Sequence, residues 1–463
     1  MTRQFRALAA AGAVVLAACG TDGNDAEQRA EQRADQEPAA AAAAAPPFDT
    51  VTAAALSKSG HDRLLAGAFD PSNRLYAAGW VADGTDQALA VTRYRADGSL
   101  DASFGTAGVA SVNVATGGKA AELARGVVVQ PGGKVVISGV AEHDPAAEGD
   151  GARDTDVVLA RFDDLGRPDP SFGSAGVVRL DLSTGVAEGT AYRSDMSWGL
   201  VGLPDGKLLV VGGQVAPGRT DLDFAVVRLT ADGARDTTFA NGGVAVVGVA
   251  PGVSETPRSA VALPDGRVVV AGYAAIDGVV RTVLFALTPA GALDPAFGQG
   301  GIAVHAVLGN VGEAYAVAVL GNGRLVTTGY GKDTAEAKVD LIAGGFTPTG
   351  AVDPAHGTNG VVRIDIAGED DRGRHLAVTP SGGAIIVGSG KPTATNLEGM
   401  VVRLSRDGAL GDRRLVDLGG PNDSFFGVAV SPDGSRAAAV GYAGHDPADS
   451  SRNDDGAILW LRP

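Results

Sequence analysis

The chain has 463 residues, 68 of them Gly and 23 Pro, with 45% hydrophobic but only 5% aromatic residues. That profile excludes a long helical bundle and fits many short strands joined by Gly-rich turns. A formal charge of −16 argues against a nucleic-acid partner, because an acidic surface repels phosphate backbones; it is compatible with plain solubility, cationic ligands, divalent metals or basic proteins.

In chain order, Arg3 and Arg6 precede the apolar run ALAAAGAVVLAA, which ends at Cys19. A charged start and an apolar stretch too short for a permanent span predict a signal peptide over residues 1–18. Leu16-Ala17-Ala18-Cys19 resembles the lipobox of bacterial lipoproteins. The resemblance implies diacylglycerol on the Cys19 thiol, cleavage before it and acylation of the new amine. Two or three acyl chains would anchor the protein stably, where one is marginal. Cys19 is the single cysteine and so has no intramolecular disulfide partner. Gly20 follows it where Asp would favour inner-membrane retention, so the resemblance implies an outer-membrane lipoprotein of the cell envelope, on the periplasmic side or surface-exposed. Loss of the leader removes two positive charges and takes the chain to −18.

Residues 19–47 are read as the lipidated cysteine and a tether. TDGNDAEQRAEQRADQE is polar with a four-residue rhythm, and PAAAAAAAPP is a spacer with nothing to bury.

Residues 48–463 form the repeat body. From Val51 onward, an apolar run, a tight turn and a second apolar run ending in Gly recur seven times. VALPDGRVVVAG, VGLPDGKLLVVGG, VVQPGGKVVISG, AVLGNGRLVTTG, AVTPSGGAIIVG, AVSPDGSRAAAVG and the degenerate GAFDPSNRLYAAG are the copies. Their turns, at Pro71, Pro131, Pro204, Pro264, Gly321, Pro380 and Pro432, are 60, 73, 60, 57, 59 and 52 residues apart, the period of a repeat architecture. A second strand pair follows in each unit, as in DFAVVRLTADGARDTTFANGGVAVV, with Phe-Gly marks at Phe104, Phe172 and Phe297, and Phe239 in the equivalent place. His356 takes that place in the fifth unit, and the sixth lacks the motif. The β-branched runs and Asp-Gly turns predict antiparallel hairpins, four strands per unit.

The predicted fold is therefore all-β: a seven-bladed β-propeller of four antiparallel strands per blade. The last unit stops at its third strand, Ala457–Leu461, so the segment Phe48–Ala53 is expected to supply the fourth, closing the ring and removing two open sheet edges. The repeats resemble the delta-60 repeat of bacterial exported proteins, a propeller-type repeat, over roughly residues 60–410. That family implies a propeller but carries no shared catalytic residues to transfer.

Symmetry separates scaffold from site. Asp101, Asp169, Asp236, Asp294 and Asp353 recur at one position and Arg93, Arg161, Arg228 and Arg403 at another, so they read as turn acids and within-blade ion pairs. Non-repeating residues sit in long loops that this topology gathers on one face: Glu142 to Asp154, Asp181 to Ser197, Gln214 to Asp221, Lys332 to Val339 and Gly444 to Asp455. The candidate binding residues there are Glu142, His143, Asp144 and Asp150, then Tyr192, Asp195 and Trp198, then His445, Asp446, Asp449 and Asp454. Trp198 reads more as a blade anchor than as a ligand platform. The acidic loops have oxygen ligands enough for calcium without a known calcium-loop spacing. His143 and His445 share a His-Asp-Pro sequence, and His61, His305, His356 and His375 show no ligand spacing.

No Gly-x-Ser-x-Gly elbow, phosphate loop, dinucleotide fingerprint, sialidase-type Asp box or quinoprotein Trp motif is found, and no catalytic residue is singled out. The expected function is a monomeric binding or scaffold module for an envelope protein or glycan, not an enzyme, with no cofactor unless calcium. The alternatives are an exported hydrolase or lyase with acidic residues at the central channel, and a calcium-dependent adhesion module.

Overall fold

The Pro-Asp-Gly signature folds as its chemistry requires. At Pro204-Asp205-Gly206 the Asp205 carboxylate accepts the Lys207 N–H at 3.2 Å, and Gly206 takes φ +83°, a conformation cheap only for glycine. The computed structural model describes residues 48–57, 61–83, 86–116, 122–144, 146–147, 149, 153–188, 191–366, 368–445 and 454–463. The chain divides into two units between Ala44 and Ala45, and all of these residues belong to the second.

Strand β1 (Val51–Ala54) precedes a series of four-stranded antiparallel sheets, each hydrogen-bonded in chain order. The first holds β2 (Asp62–Phe69), β3 (Leu75–Asp83), β4 (Asp86–Tyr94) and β5 (Val109–Val112). The second holds β6 (Leu123–Val129), β7 (Val135–Glu142), β8 (Thr155–Phe162) and β9 (Val177–Leu180). A short hairpin follows, β10 (Val186–Glu188) with β11 (Ala191–Arg193), so the stretch from Asp181 to Ser197 is not wholly irregular, as its sequence suggests.

The next sheet is β12 (Met196–Gly202), β13 (Leu208–Val215), β14 (Leu222–Leu229) and β15 (Val244–Val247). After it come β16 (Glu255–Ala262), β17 (Val268–Ile276), β18 (Val279–Leu287) and β19 (Ile302–His305), then β20 (Val311–Val319), β21 (Leu325–Lys332), β22 (Asp340–Phe346) and β23 (Val361–Ile364). A single parallel bridge, Val280 to Val311, joins these two groups. They are followed by β24 (Asp371–Val378), β25 (Ala384–Thr393), β26 (Asn396–Leu404) and β27 (Leu410–Val416). Last come β28 (Ser424–Val430), β29 (Ala437–Ala443) and β30 (Asp455–Leu461). β1 lies on the far side of β30, Val51 opposite Leu459; the sequence reading places this strand at Phe48–Ala53, three residues early.

Apolar layers between neighbouring sheets make the core. Tyr76, Leu89 and Phe104 of the first sheet meet Ala124, Ile137 and Val158 of the second. The same first sheet also packs Leu64, Leu75 and Tyr94 against Val440, Ile458 and Trp460 of the last. Burial is from both faces, which is why β7, β8, β13 and β14 are nearly continuous apolar runs.

The first strand of each sheet carries a β-bulge. The register of β2 on β3 slips between Leu64 and Ala66, leaving Leu65 unpaired; β12 on β13 slips between Ser197 and Gly199, leaving Trp198. The same slip leaves Arg125, Arg258, Tyr315, Arg374 and Phe426 unpaired in the other first strands. Opposite each slip stands the glycine that ends the second apolar run. A Cβ on Gly79 would lie 1.8 Å from the Arg63 carbonyl oxygen, and one on Gly212 would lie 1.8 Å from that of Met196. The glycine is thus the space into which the bulge presses its carbonyl.

The recurring Arg and Asp make the expected ion pairs: Arg93–Asp101 and Arg161–Asp169 at 2.8 Å, Arg228–Asp236 at 2.9 Å. Each guanidinium lies over the Phe of its own unit, at 4.7, 4.6 and 4.5 Å from Phe104, Phe172 and Phe239. Each also donates to a turn carbonyl of the next sheet, Asp164, Ala231 and Pro289. Arg403 departs from the expected pairing: its sheet lacks the turn acid, and it donates to the Arg462 carbonyl.

Gly212→Ala should cost about 3 kcal/mol by urea unfolding, because the clash is with backbone. Gly202→Ala, where the nearest atom is 3.5 Å away, should cost under about 1 kcal/mol.

Candidate functional site

The unpaired residue of a bulge is turned out of the ladder, and here all of them are turned the same way. Leu65, Arg125, Trp198, Arg258, Tyr315, Arg374 and Phe426 line one cavity of about 440 Å³, together with Arg63, Trp80, His375 and Tyr442. From Arg125 to Phe426 the bulged residues alternate cation and ring. Arg125 lies 3.7 Å from the Trp198 ring centroid and Arg258 3.9 Å, so the indole is sandwiched. Arg258 is also 4.0 Å from Tyr315, and Arg374 lies 5.1 Å from Tyr315 and 5.2 Å from Phe426. Stacking of this kind attracts a guanidinium through the ring quadrupole and leaves its N–H edge available.

Arg258 donates to the Tyr273 and Tyr315 hydroxyls at 2.8 and 3.0 Å. Among the described residues no carboxylate forms an ion pair with Arg125, Arg258 or Arg374. Burial pushes Arg125 down to about 9, and the like charges of Arg258 and Arg374 push the same way. His375, on the cavity wall, is pushed down to about 4 by burial and accepts the Val428 N–H at 3.4 Å. Glu313 is the nearby acid. It raises the Tyr273 and Tyr330 hydroxyls, whose shifts come first from burial, but does not line the cavity. Among the described residues, the charged and aromatic side chains on the cavity wall are arginines, His375, tryptophans, tyrosines and a phenylalanine.

The loop residues singled out from sequence fall elsewhere. Trp198, read as a blade anchor, instead faces the cavity from its bulge. Asp195, three residues before it, is buried and accepts the Leu182 N–H at 2.6 Å and the Ser183 hydroxyl at 2.6 Å. Tyr192 carries the Arg153 guanidinium 5.0 Å from its ring centroid. His143 contacts Asp156 at 2.9 Å, which raises its pKa, and Arg179 holds the other Asp156 oxygen at 2.8 Å. Glu142 is buried at the end of β7, and Asp144 accepts the Ala146 N–H at 2.9 Å. His445 contacts Asp454 at 2.7 Å, with the His61 ring 4.5 Å from its own and Arg63 on Asp454 at 2.5 Å. Burial opposes the charge on Asp454, but the His445 and Arg63 contacts bring its carboxyl below the usual value. His143 and His445 thus belong to separate clusters. Cys19, Asp150, Asp446 and Asp449 lie outside the described residues.

Two things escaped the sequence reading. One is the bulge, since nothing in a single strand announces it; its signal was the closing glycine of each repeat. The other is a recurring acid three residues before the bulged side chain: Asp62, Glu122, Asp195, Glu255, Asp371 and Asp423. Each takes backbone N–H groups from the link that leads into its strand. Burial pushes Asp195 and Glu255 up to about 7 and Asp371 and Asp423 up to about 6, against those hydrogen bonds.

Residues 71–104, 203–239 and 263–297 match the family model described as "Domain of unknown function (DUF5122) beta-propeller". The chain carries propeller-type repeats. No curated protein matches the sequence. Similar solved structures include polysaccharide lyase Uly1, at 11% identity and TM-score 0.48 over 93% of this chain and 95% of that one. They also include the WD40 repeats of RRP9, at 9% and 0.45 over 90% and 99%, and Sqt1 of Chaetomium thermophilum, at 12% and 0.43 over 87% and 96%.

Two tests follow. An arginine already occupies the place where a cation would neutralise Asp454 or Asp156, so excess chelator should leave the melting temperature unchanged; a drop of several degrees would contradict this. Folded Asp195 keeps its proton up to about 7, whereas the unfolded carboxyl loses it near the ordinary aspartate value. Its contribution is therefore greatest at low pH and declines as pH rises to about 7. Asp195→Asn should remove that decline and stabilise the protein at pH 8 relative to pH 5, on the order of 1 kcal/mol by urea unfolding.

Proposed function

We propose that the protein is an exported, membrane-anchored binding module. It is a closed seven-bladed propeller, tethered through Cys19, that receives a small ligand or a glycan unit in its axial cavity. One observation carries this reading: the bulged residues of the first strands line a single space although hundreds of residues separate them in sequence. Such a cavity is of the size that small-molecule sites occupy.

Closure is supported by two further facts. β2 packs against both β6 and β28, and β1 completes the sheet of β28–β30 from the opposite end of the chain. Delta-60-like repeats, the lipobox-like Leu16–Cys19 and Gly20 favour an outer-membrane lipoprotein, and the tether of residues 20–47 gives the propeller reach from the bilayer. The acidic outer loops then act as a solvated rim.

The cavity reading is tested by filling it. Leu65→Trp places bulk in the cavity with every arginine left in place. In a thermal-shift screen of neutral and acidic mono- and disaccharides, a ligand that stabilises the parent chain should lose at least tenfold in affinity in Leu65→Trp and keep it in His143→Ala/Asp144→Ala. The reverse pattern would move the site to the loops. For the anchor, Cys19→Ser should shift the chain from the membrane to the soluble fraction.

A further inference from the structure

We infer that the axial cavity is an oxyanion site, which takes a small organic ligand by a carboxylate or sulfate held among Arg125, Arg258 and Arg374. The inference rests on the reading of the cavity as the ligand site and specifies the chemistry of what enters.

The chain holds 54 Asp and Glu against 38 Lys and Arg. Arginines of the outer sheets find those acids: Arg93, Arg161 and Arg228 sit within 3 Å of theirs. In a protein so rich in carboxylate, three guanidiniums gathered on one axis with no acid between them are a local reversal of charge. Ring contacts and, for Arg258, two tyrosine hydroxyls hold them, but among the described residues no carboxylate does, and a charge withdrawn from water is costly unless something pairs with it.

Geometry fixes how a partner would bind. The aromatic rings occupy guanidinium faces: Trp198 lies between Arg125 and Arg258, and Tyr315 is within 5.1 Å of both Arg258 and Arg374. What remains for a ligand is the in-plane N–H edge, the fork that matches carboxylate and sulfate oxygens. The Nε atoms of Arg258 and Arg374 are buried without a hydrogen-bond partner. The Tyr315 hydroxyl, on the cavity wall, accepts from Arg258 at 3.0 Å and lies 3.3 Å from the Tyr330 hydroxyl, so it helps to hold the Arg258 guanidinium in place. Phe426 and Leu65 form an apolar arc between Arg374 and Arg125. A cavity of about 440 Å³ is much larger than a free inorganic ion, so the anionic group belongs to a larger body.

The test uses the purified full chain at constant ionic strength, titrated with galacturonate, galactose 6-sulfate, inorganic sulfate and neutral galactose. Readouts are melting temperature and tryptophan fluorescence, to which Trp198 reports. The expected result is saturable binding of an acidic sugar at least tenfold tighter than galactose, with inorganic sulfate as a weak competitor. Arg125→Gln and Arg374→Gln should each lose tenfold or more, Arg125→Lys should lose less, and Arg219→Gln on the surface should lose nothing. Galactose binding as tightly as either acidic sugar, with loss in Leu65→Trp, would overturn the anion class and leave the cavity as a ligand site. No binding by any of the four would count against both readings. Should an arginine variant fail to fold, the comparison of acidic with neutral sugar on the parent chain decides.

Discussion

The structure depends on one backbone slip repeated from sheet to sheet. In each first strand the ladder to its neighbour loses register by one residue, and the carbonyl two residues earlier is driven against the Cα of a glycine. A side chain at that glycine would occupy the same space as the carbonyl oxygen. The slip turns one side chain per first strand out of the pleat, toward a common cavity. Without it those residues would enter the alternation of an ordinary strand and pack between sheets.

That geometry divides the arginines by function. Arg93, Arg161 and Arg228 are satisfied three ways: by a turn acid, by a Phe face and by a carbonyl of the following sheet. They tie each sheet to the next, and their period is that of the repeat. The axial arginines share only the aromatic contact. Arg125, Arg258 and Arg374 rest on Trp198, Tyr315 and Phe426, and among the described residues no acid pairs with them. A strongly acidic chain with a cationic axis would let an anion bind in one place and repel it elsewhere.

Much of the fold was legible in the residues. The Pro-Asp-Gly turns, the paired apolar runs and the Phe-Gly marks define four-stranded units, and the short last unit calls for a strand from the other end of the chain. The site was not legible, for a physical reason. Arg125, Trp198, Arg258, Tyr315, Arg374 and Phe426 recur at the spacing of the repeat, six residues before each turn, but they differ in type from unit to unit, so the period alone does not mark them as a site. Only the slip makes them neighbours. The loops drew attention because they vary and carry acids, but Asp195 and Asp454 turn inward to hold backbone, histidine and arginine. The closing glycine was visible in each repeat, and it was the mark of the slip; its role appears only once the opposing carbonyl is placed.

Anomalous diffraction from crystals soaked in selenate, a heavy analogue of sulfate, tests the axial site most directly. A selenium peak is expected inside the cavity, within hydrogen-bond distance of the guanidiniums of Arg125, Arg258 and Arg374. Peaks confined to the outer surface, or a map with these arginines turned onto carboxylates of their own chain, would contradict it.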